Sequence, residues 1–149
     1  MNDTIPITPL LPADYPEVVA VWEASVRLTH HFLTEADIQY YKPLILTEYL
    51  KAVDLVGVRN EAGNLLGFLG TADERVEMLF LHPDARGKGL GKILMDYAVH
   101  RKKATKVDVN EDNPQAVGFY KHLGFQVVSR SELDSLGKPY PILHLALPG

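Results

Sequence analysis

The chain has 149 residues, of which 46% are hydrophobic and 23% charged, and its formal net charge is −4 at pH 7. This length and composition predict one globular domain with an ordinary core, and no apolar run is long enough to span a membrane. The lack of cysteine excludes disulfides, thiolate metal sites and an acyl-cysteine intermediate, and the negative charge gives no general attraction for nucleic acid.

The amino terminus carries neither a basic segment nor an apolar core, which predicts a cytoplasmic protein without a signal peptide. A short strand is predicted over residues 5–9. Apolar side chains that recur on one face predict a helix over residues 12–29. A second helix, capped by Thr34, is predicted over residues 35–51, with a kink or a division into two short helices at Pro43.

The rest of the chain alternates between strands and helices. Two further helices are predicted, one that begins in the glycine-rich segment 86–91 and one that begins at Asn113. Gly124 is the expected carboxyl-terminal cap of the latter. The remaining predicted strands span residues 53–59, 65–71, 76–81, 105–110, 125–131 and 140–147. This order of elements predicts a single α/β (α+β) domain over residues 1–149 with a mixed sheet.

The segment 86–91, Arg-Gly-Lys-Gly-Leu-Gly, lies between a predicted strand and the start of a helix. The first N–H groups of a helix have no partner within it, and glycine lets an anion come close to them. Lys88 and Lys92 add positive charge. The segment therefore predicts a site for a phosphate or pyrophosphate. It has the spacing of neither a Walker loop nor the dinucleotide fingerprint G-x-G-x-x-G.

The spacing R-x-x-G-x-G within 86–91 resembles the signature of the GNAT superfamily, the acyl-CoA-dependent N-acetyltransferases. Residues 113–125 resemble a second block of that family, N-x-x-A-x-x-F-Y-x-x-x-G-F. Residues 22–33 and 137–145 are similar to a small single-domain bacterial subgroup, the YjaB-like proteins. The resemblance implies the GNAT fold, a mixed, mostly antiparallel seven-stranded sheet flanked by four helices, with a split between the two central strands.

The resemblance also implies acetyl-CoA as the cosubstrate. Its pyrophosphate is expected on the glycine-rich segment, and its amide-bearing arm alongside the end of the strand 76–81, like an added strand. Asn113 is expected to bond to the arm or only to cap its helix. Tyr120 is expected to protonate the departing thiolate, or else to be a core tyrosine. The implied cofactor-binding residues are Leu79, Phe80, Leu81, Arg86, Gly87, Lys88, Gly89, Leu90, Gly91, Lys92, Asn113 and Tyr120.

The sequence leaves open which group takes the proton of the attacking amine. The candidate catalytic bases are Glu77 and Asp108 on neighbouring strands, His30 after the first helix, and His144 on the last strand. Deprotonation through water is the alternative. The spacing of the six histidines predicts no metal site.

The acceptor groove is expected between the two amino-terminal helices and the loop 133–140. Its candidate residues are Trp22, Ser25, Thr29, His30, Phe32, Tyr40, Tyr41 and Tyr140. The predicted function is transfer of an acetyl group to a primary amine, on a small molecule or a protein, by direct attack in a ternary complex. The alternative is a non-catalytic acyl-CoA-binding or sensor module of the same fold. No nucleic-acid or membrane partner is expected, and the fold is compatible with a monomer or a homodimer.

Overall fold

The computed structural model describes residues 6–148, so the start of the first predicted strand at Ile5 lies outside the described residues. Within that range the strands are β1 (Thr8–Pro9), β2 (Asp54–Arg59), β3 (Leu65–Ala72), β4 (Arg75–Leu81), β5 (Lys106–Asn110), β6 (Gln126–Ser131) and β7 (Ile142–Ala146). The α-helices are α1 (Tyr15–Thr29), α2 (Glu35–Leu44), α3 (Leu90–Arg101) and α4 (Pro114–His122). The types of these helices and strands and their order along the chain confirm the elements predicted for this range.

One sheet contains all seven strands, in the spatial order β1-β2-β3-β4-β5-β7-β6. Neighbours are antiparallel except β4 and β5, which are parallel and pair only at Arg75–Lys106 and Val76–Val107. Beyond Val76 the two strands diverge, so the rest of β4 is paired on its β3 side alone. The mixed, mostly antiparallel sheet and the split between its central strands are thereby confirmed.

A β-bulge in β4 changes the side to which its side chains point. Met78 lies opposite Gly70 and Val76 opposite Thr71, so Glu77 is an extra residue without a partner on β3. Val76 consequently packs in the core under α3, whereas Met78 packs in the core under α1. One strand therefore contributes to the apolar cores on both faces of the sheet.

Each face of the sheet carries one apolar core. The core under α1 and α2 contains Val18, Trp22 and Val26, which recur every four residues along α1 and are at most 5% exposed. The core under α3 and α4 contains Leu94, which is fully buried, and Tyr120. Among residues 6–148, no helix is both long and apolar enough to cross a membrane.

The helix predicted over 35–51 changes pitch instead of dividing. Thr34 caps it as predicted, and its Oγ1 accepts a hydrogen bond from the Asp37 N–H at 3.1 Å. Pro43 lies within α2, and Ile45–Tyr49 continues as a π-helix before a 3₁₀ turn at Leu50–Ala52. Proline lacks an N–H and interrupts the usual bonding ladder, which accounts for a change of pitch here.

Candidate active site

A cleft opens between the end of β4, the start of α3 and the start of α4. Its walls include Leu79, Phe80 and Leu81, the segment of β4 that the sequence assigns to the cofactor arm. Since β4 is paired only to β3 at these residues, its edge toward β5 is accessible to an amide-bearing ligand. We refer to it as the cofactor cleft, after the cofactor site that the sequence predicts here. It is lined by Ser25, Thr29, His30, Leu79, Phe80, Leu81, Arg86, Gly91, Asn113, Gln115, Ala116, Phe119 and Tyr120.

The glycine-rich segment at one end of this cleft has the conformation that an anion site requires. Gly87 and Gly89 have φ of 78° and 79°, in the left-handed region that favours glycine. In α3, the N–H of Ile93 bonds back to the carbonyl of Gly89 at 3.1 Å, so the N–H groups of residues 90–92 precede the first helical bond. These backbone groups fit a pyrophosphate. Leu90 is 3% exposed, and its side chain packs in the core under α3.

The other residues of this segment have different partners. Arg86 donates a hydrogen bond to Oε1 of Gln115 at 2.6 Å, and both residues line the cleft. Lys92 forms an ion pair with Asp96 at 3.2 Å, and Lys88 is exposed. Gly91 has a packing role, because a Cβ there would lie 3.3 Å from the Phe119 ring. Sequence reasoning missed Gln115, although it lies within the second motif block.

Tyr120 lies in the wall of the cleft and is 7% exposed. Its ring packs between Phe119 and Phe125, with centroid distances of 5.1 and 5.9 Å. Its hydroxyl makes no hydrogen bond to another side chain or backbone group within 6–148, and the residue contributes to the lining of the cleft. Burial raises the pKa of Tyr120 above its usual value of about 10, which keeps the phenol protonated.

Asn113 has the capping role that the sequence predicts. Its Oδ1 accepts a hydrogen bond from the N–H of Ala116 at 3.3 Å, at the start of α4. The residue is 8% exposed and also lines the cleft. Contact between Asn113 and the cofactor arm stays a prediction.

A second pocket lies on the α1 side of β4, under the loop between β6 and β7. Its walls combine aromatic and aliphatic side chains with two carboxylates, Glu77 and Asp134. Sequence reasoning missed Asp134, which lies in a loop rich in turn-forming residues. The pocket is lined by Trp22, Val26, His30, Leu33, Tyr41, Ile45, Tyr49, Glu77, Met78, Phe80, Asn110, Asp134, Tyr140 and Ile142. We refer to it as the acceptor pocket, after the acceptor groove that the sequence predicts in this part of the molecule.

The predicted groove residues divide into three groups. Those that line the acceptor pocket are Trp22, His30, Tyr41 and Tyr140. Ser25 and Thr29 line the cofactor cleft instead. Phe32 packs between His30 and Tyr140, with ring centroids 5.4 and 5.5 Å away, and Tyr40 is 47% exposed.

His30 and Phe80 lie where the two spaces meet. Both residues line the cofactor cleft, the acceptor pocket and a smaller recess in the split between β4 and β5. The His30 ring packs against Phe32 and, at 6.3 Å between centroids, against Phe80. Burial, with a smaller contribution from His31, lowers the pKa of His30 to about 4, so its imidazole is neutral at pH 7.

The other candidate bases have charged partners. Glu77, at the bulge, lies 3.5 Å from Arg75 and faces both the acceptor pocket and the split. Asp108 also faces the split, but its carboxylate pairs with Arg75 and with His144 Nδ1, each at 2.8 Å.

His144 lines neither the cleft nor the split. It lines a separate pocket with residues of β4, β5, β6 and β7, and its Nε2 lies 2.7 Å from Oγ of Ser131. The structure thus brings His30, Glu77 and Asp108 to the split and leaves His144 outside it. In the part of the chain described, no group of three or more His, Asp and Glu side chains is arranged to hold a metal.

Residues 27–137 match the family described as Acetyltransferase (GNAT) domain. The peptidyl-lysine N-acetyltransferase YjaB of Salmonella typhimurium is 40% identical over 132 residues, which are 89% of this chain and 90% of that protein. The solution structure of apo-form YjaB from Escherichia coli has a TM-score of 0.86 at 39% identity and covers 98% of this chain and 99% of its own.

A more distant structure shares the fold alone. The PaiA N-acetyltransferase from Thermoplasma acidophilum, in complex with coenzyme A, has a TM-score of 0.72 at 19% identity and covers 97% of this chain and 99% of its own.

The chain belongs to the GNAT family of acetyltransferases, and it is an acetyl-CoA-dependent acyltransferase. Within the family it resembles the YjaB proteins, as both ends of the sequence predict.

Proposed function

We propose that the protein transfers the acetyl group of acetyl-CoA to the ε-amino group of lysine residues in proteins. The observation that carries this proposal is the junction at His30 and Phe80, where the cofactor cleft and the acceptor pocket meet. A thioester in one space and an amine in the other would come together there. The similarity to peptidyl-lysine N-acetyltransferases supports a protein lysine as the acceptor.

The amine attacks the thioester directly, in a complex that holds both substrates. The chain has no cysteine to carry an acyl intermediate. The cofactor cleft and the acceptor pocket are separate spaces that share His30 and Phe80. A backbone N–H at Leu79 or Phe80 stabilises the negative charge on the acetyl oxygen. Tyr120, which lines the cleft, gives a proton to the departing sulfur.

The lining of the acceptor pocket suits a lysine side chain. Its aromatic walls cover the aliphatic stem, and the carboxylates of Glu77 and Asp134 attract an ammonium group. A lysine amine has a pKa of about 10.4 and attacks only after it loses a proton. Glu77, Asp108, His30 and solvent water are the proposed routes for that proton.

A panel of acceptors tests the proposed function. We would incubate the protein with acetyl-CoA and a peptide that has a blocked amino terminus and one internal lysine, then measure free thiol and peptide mass. The matched control is the same peptide with arginine in place of lysine, and the panel also contains free lysine and a polyamine. We expect acetylation of the lysine peptide alone. Preferential acetylation of the small amines would contradict the protein-lysine assignment.

The same panel addresses the non-catalytic alternative. A sensor module would bind acetyl-CoA in calorimetry and release no thiol with any acceptor. Thiol release that depends on an acceptor excludes that alternative. The cytoplasmic location and a monomeric or dimeric state stay predictions.

A further inference from the structure

The side chain of Thr29 lies between a carbonyl group and the ring of His30. Its Oγ1 is 3.0 Å from the carbonyl oxygen of Ser25 and 2.8 Å from Nδ1 of His30. A hydroxyl has one hydrogen, and a carbonyl oxygen only accepts. Both contacts are hydrogen bonds only if Thr29 donates to Ser25 and Nδ1–H of His30 donates to Thr29. In that tautomer, Nε2 of His30 carries a free lone pair.

We propose that Thr29 is a positioning residue, which holds His30 in the Nδ1–H tautomer so that Nε2 takes the proton of the attacking amine. This proposal rests on the proposed function and selects one of its possible bases. The sequence predicts Thr29 as a residue that lines the acceptor groove, so this positioning role differs from the predicted one.

The backbone and the ring of His30 are both held in place. Its N–H bonds to the carbonyl of Val26 at 2.8 Å, and its carbonyl accepts from the N–H of Leu33 at 3.0 Å. The ring packs against Phe32 and Phe80. Within residues 6–148 the ring has a hydrogen-bond partner at Nδ1 and none at Nε2. Nε2 is therefore free for a ligand at the junction of the two spaces.

Two carboxylates also face the split, and Arg75 lies beside both. It is 2.8 Å from Asp108 and 3.5 Å from Glu77. A proton on either carboxylate would weaken its attraction to the guanidinium. Protonation of Nε2 of His30 weakens no ion pair of this kind.

The proposed step balances as follows. The ammonium of the incoming lysine first loses a proton to water. The nitrogen lone pair of the amine then forms a bond to the acetyl carbon, and this nitrogen passes a proton to Nε2 of His30. The carbon–sulfur bond breaks, the electron pair stays on sulfur, and the sulfur takes the phenolic proton of Tyr120. His30 then returns its proton to solvent, Tyr120 regains one from solvent, and the products are acetyl-lysine and CoA thiol.

Burial of the ring suits this sequence. A pKa of about 4 for His30 keeps Nε2 unprotonated at neutral pH, so that the lone pair is always available. The amine nitrogen becomes far more acidic as it bonds to the acetyl carbon, so a weak base is sufficient at that point. The same low pKa returns the proton to solvent readily after turnover.

Nitrogen-15 NMR of the histidine rings tests the tautomer without any need for turnover. In uniformly labelled protein, the long-range proton–nitrogen pattern distinguishes Nδ1–H from Nε2–H, and the spectrum of His30→Gln assigns the signals. We expect the Nδ1–H pattern for His30 in the wild type and in Thr29→Ser. In Thr29→Val, which keeps the shape but not the hydroxyl, we expect that pattern to be lost.

Kinetics with the lysine peptide test the consequence. We expect kcat to fall on the order of tenfold in Thr29→Val and about a hundredfold in His30→Gln, with the KM for acetyl-CoA within about twofold of the wild type. Thr29→Ser should restore kcat. His122→Gln is the matched control, because His122 is exposed and lines neither the cleft nor the acceptor pocket, and it should retain full activity.

Three results would overturn the proposal. They are an Nε2–H pattern for His30 in the wild type, an altered tautomer in Thr29→Val with unchanged kcat, and an unchanged kcat in His30→Gln. If the wild type acetylates no acceptor, the proposed function fails, and the catalytic role of His30 fails with it. The spectrum still decides whether Thr29 sets the tautomer, so the two failures are distinguishable.

Discussion

Tyr41 donates a hydrogen bond to the carboxylate of Asp134 at 2.5 Å and so joins α2 to the loop over the acceptor pocket. Tyr140 donates to Asp37 and makes a second connection between the same parts. Burial, and then the bond to Asp134, raises the pKa of Tyr41, while the bond to Asp37 is the main reason that the pKa of Tyr140 rises to about 12. Both phenols remain protonated donors at neutral pH. The roof of the acceptor pocket is therefore held by two hydrogen bonds to carboxylates.

Removal of the Tyr41 hydroxyl should weaken binding of the acceptor alone. A hydrogen bond to a charged group contributes about 1.5–3 kcal/mol, and Asp134 keeps its bonds to the N–H groups of Leu136 and Lys138. For Tyr41→Phe we expect the KM for the lysine peptide to rise about fivefold or more, with an unchanged KM for acetyl-CoA. Tyr40→Phe is the exposed control. Equal KM values for the peptide in both variants would contradict this role of the loop.

Tyr120→Phe should lower turnover and leave cofactor binding intact. General acid catalysis contributes about 10²–10⁴-fold, and we expect kcat to fall at least about a hundredfold. The phenylalanine keeps the contacts with Phe119 and Phe125, and it removes a hydroxyl that bonds to nothing else in residues 6–148. Calorimetry with CoA and steady-state kinetics measure the two effects. The matched control is Tyr97→Phe on α3, and a similar loss of kcat there would remove the specific role of Tyr120.

Gly89→Glu should abolish CoA binding. At φ of 79° any side chain is strained, by roughly 1–2 kcal/mol, and a carboxylate there also repels the pyrophosphate. We expect the affinity measured by calorimetry to fall more than tenfold. Gly89→Ala separates strain from charge and should lose less affinity.

The control for Gly89 is a glycine with room for a side chain. A Cβ on Gly118 in α4 would have no neighbour within 4 Å, so Gly118→Ala should bind CoA normally. The added helix propensity should raise its free energy of unfolding by up to about 1 kcal/mol. Retained affinity in Gly89→Glu would refute the pyrophosphate assignment.

The stability of the protein should depend on pH through His30. The ring has a pKa of about 4 when folded and about 6.5 when unfolded, so between these values the unfolded chain binds more protons. The free energy of unfolding should therefore rise with pH across that window, by at most about 3 kcal/mol from this group. Denaturant titrations at several pH values give the free energy of unfolding of the wild type and of His30→Gln, and the difference between them is the contribution of His30. If this difference does not change with pH, the prediction is contradicted.

The features that sequence reasoning predicted are local in the chain. The Thr34 and Asn113 caps, the amphipathic face of α1 and the start of a helix in the glycine-rich segment each depend on residues a few positions apart. The second motif block also placed Tyr120 in the cleft wall. Local patterns therefore predicted the elements and an anion site, and the resemblance to the GNAT superfamily added the split sheet and the cofactor arm.

The acceptor pocket depends on contacts that no local pattern encodes. Asp134 and Tyr41 are separated by 93 positions, and Asp37 and Tyr140 by 103. The bulge at Glu77 could not be predicted from the sequence either, because residues 78–81 are all apolar and fit either face of the sheet. The choice among candidate bases depends on side-chain rotamers, such as the one that brings His30 to the Thr29 hydroxyl.

In β4, the residues after the bulge alternate between the two spaces, because successive side chains of a strand point to opposite faces of the sheet. Leu79 and Leu81 line the cofactor cleft, whereas Met78 lines the acceptor pocket. Under the proposed function, a substitution at 79 or 81 would alter the space around the acyl donor, and one at 78 would alter the space around the amine. Selectivity for donor and for acceptor is therefore separately adjustable by single substitutions at alternate residues, with Phe80 the one position in this stretch where a change affects both.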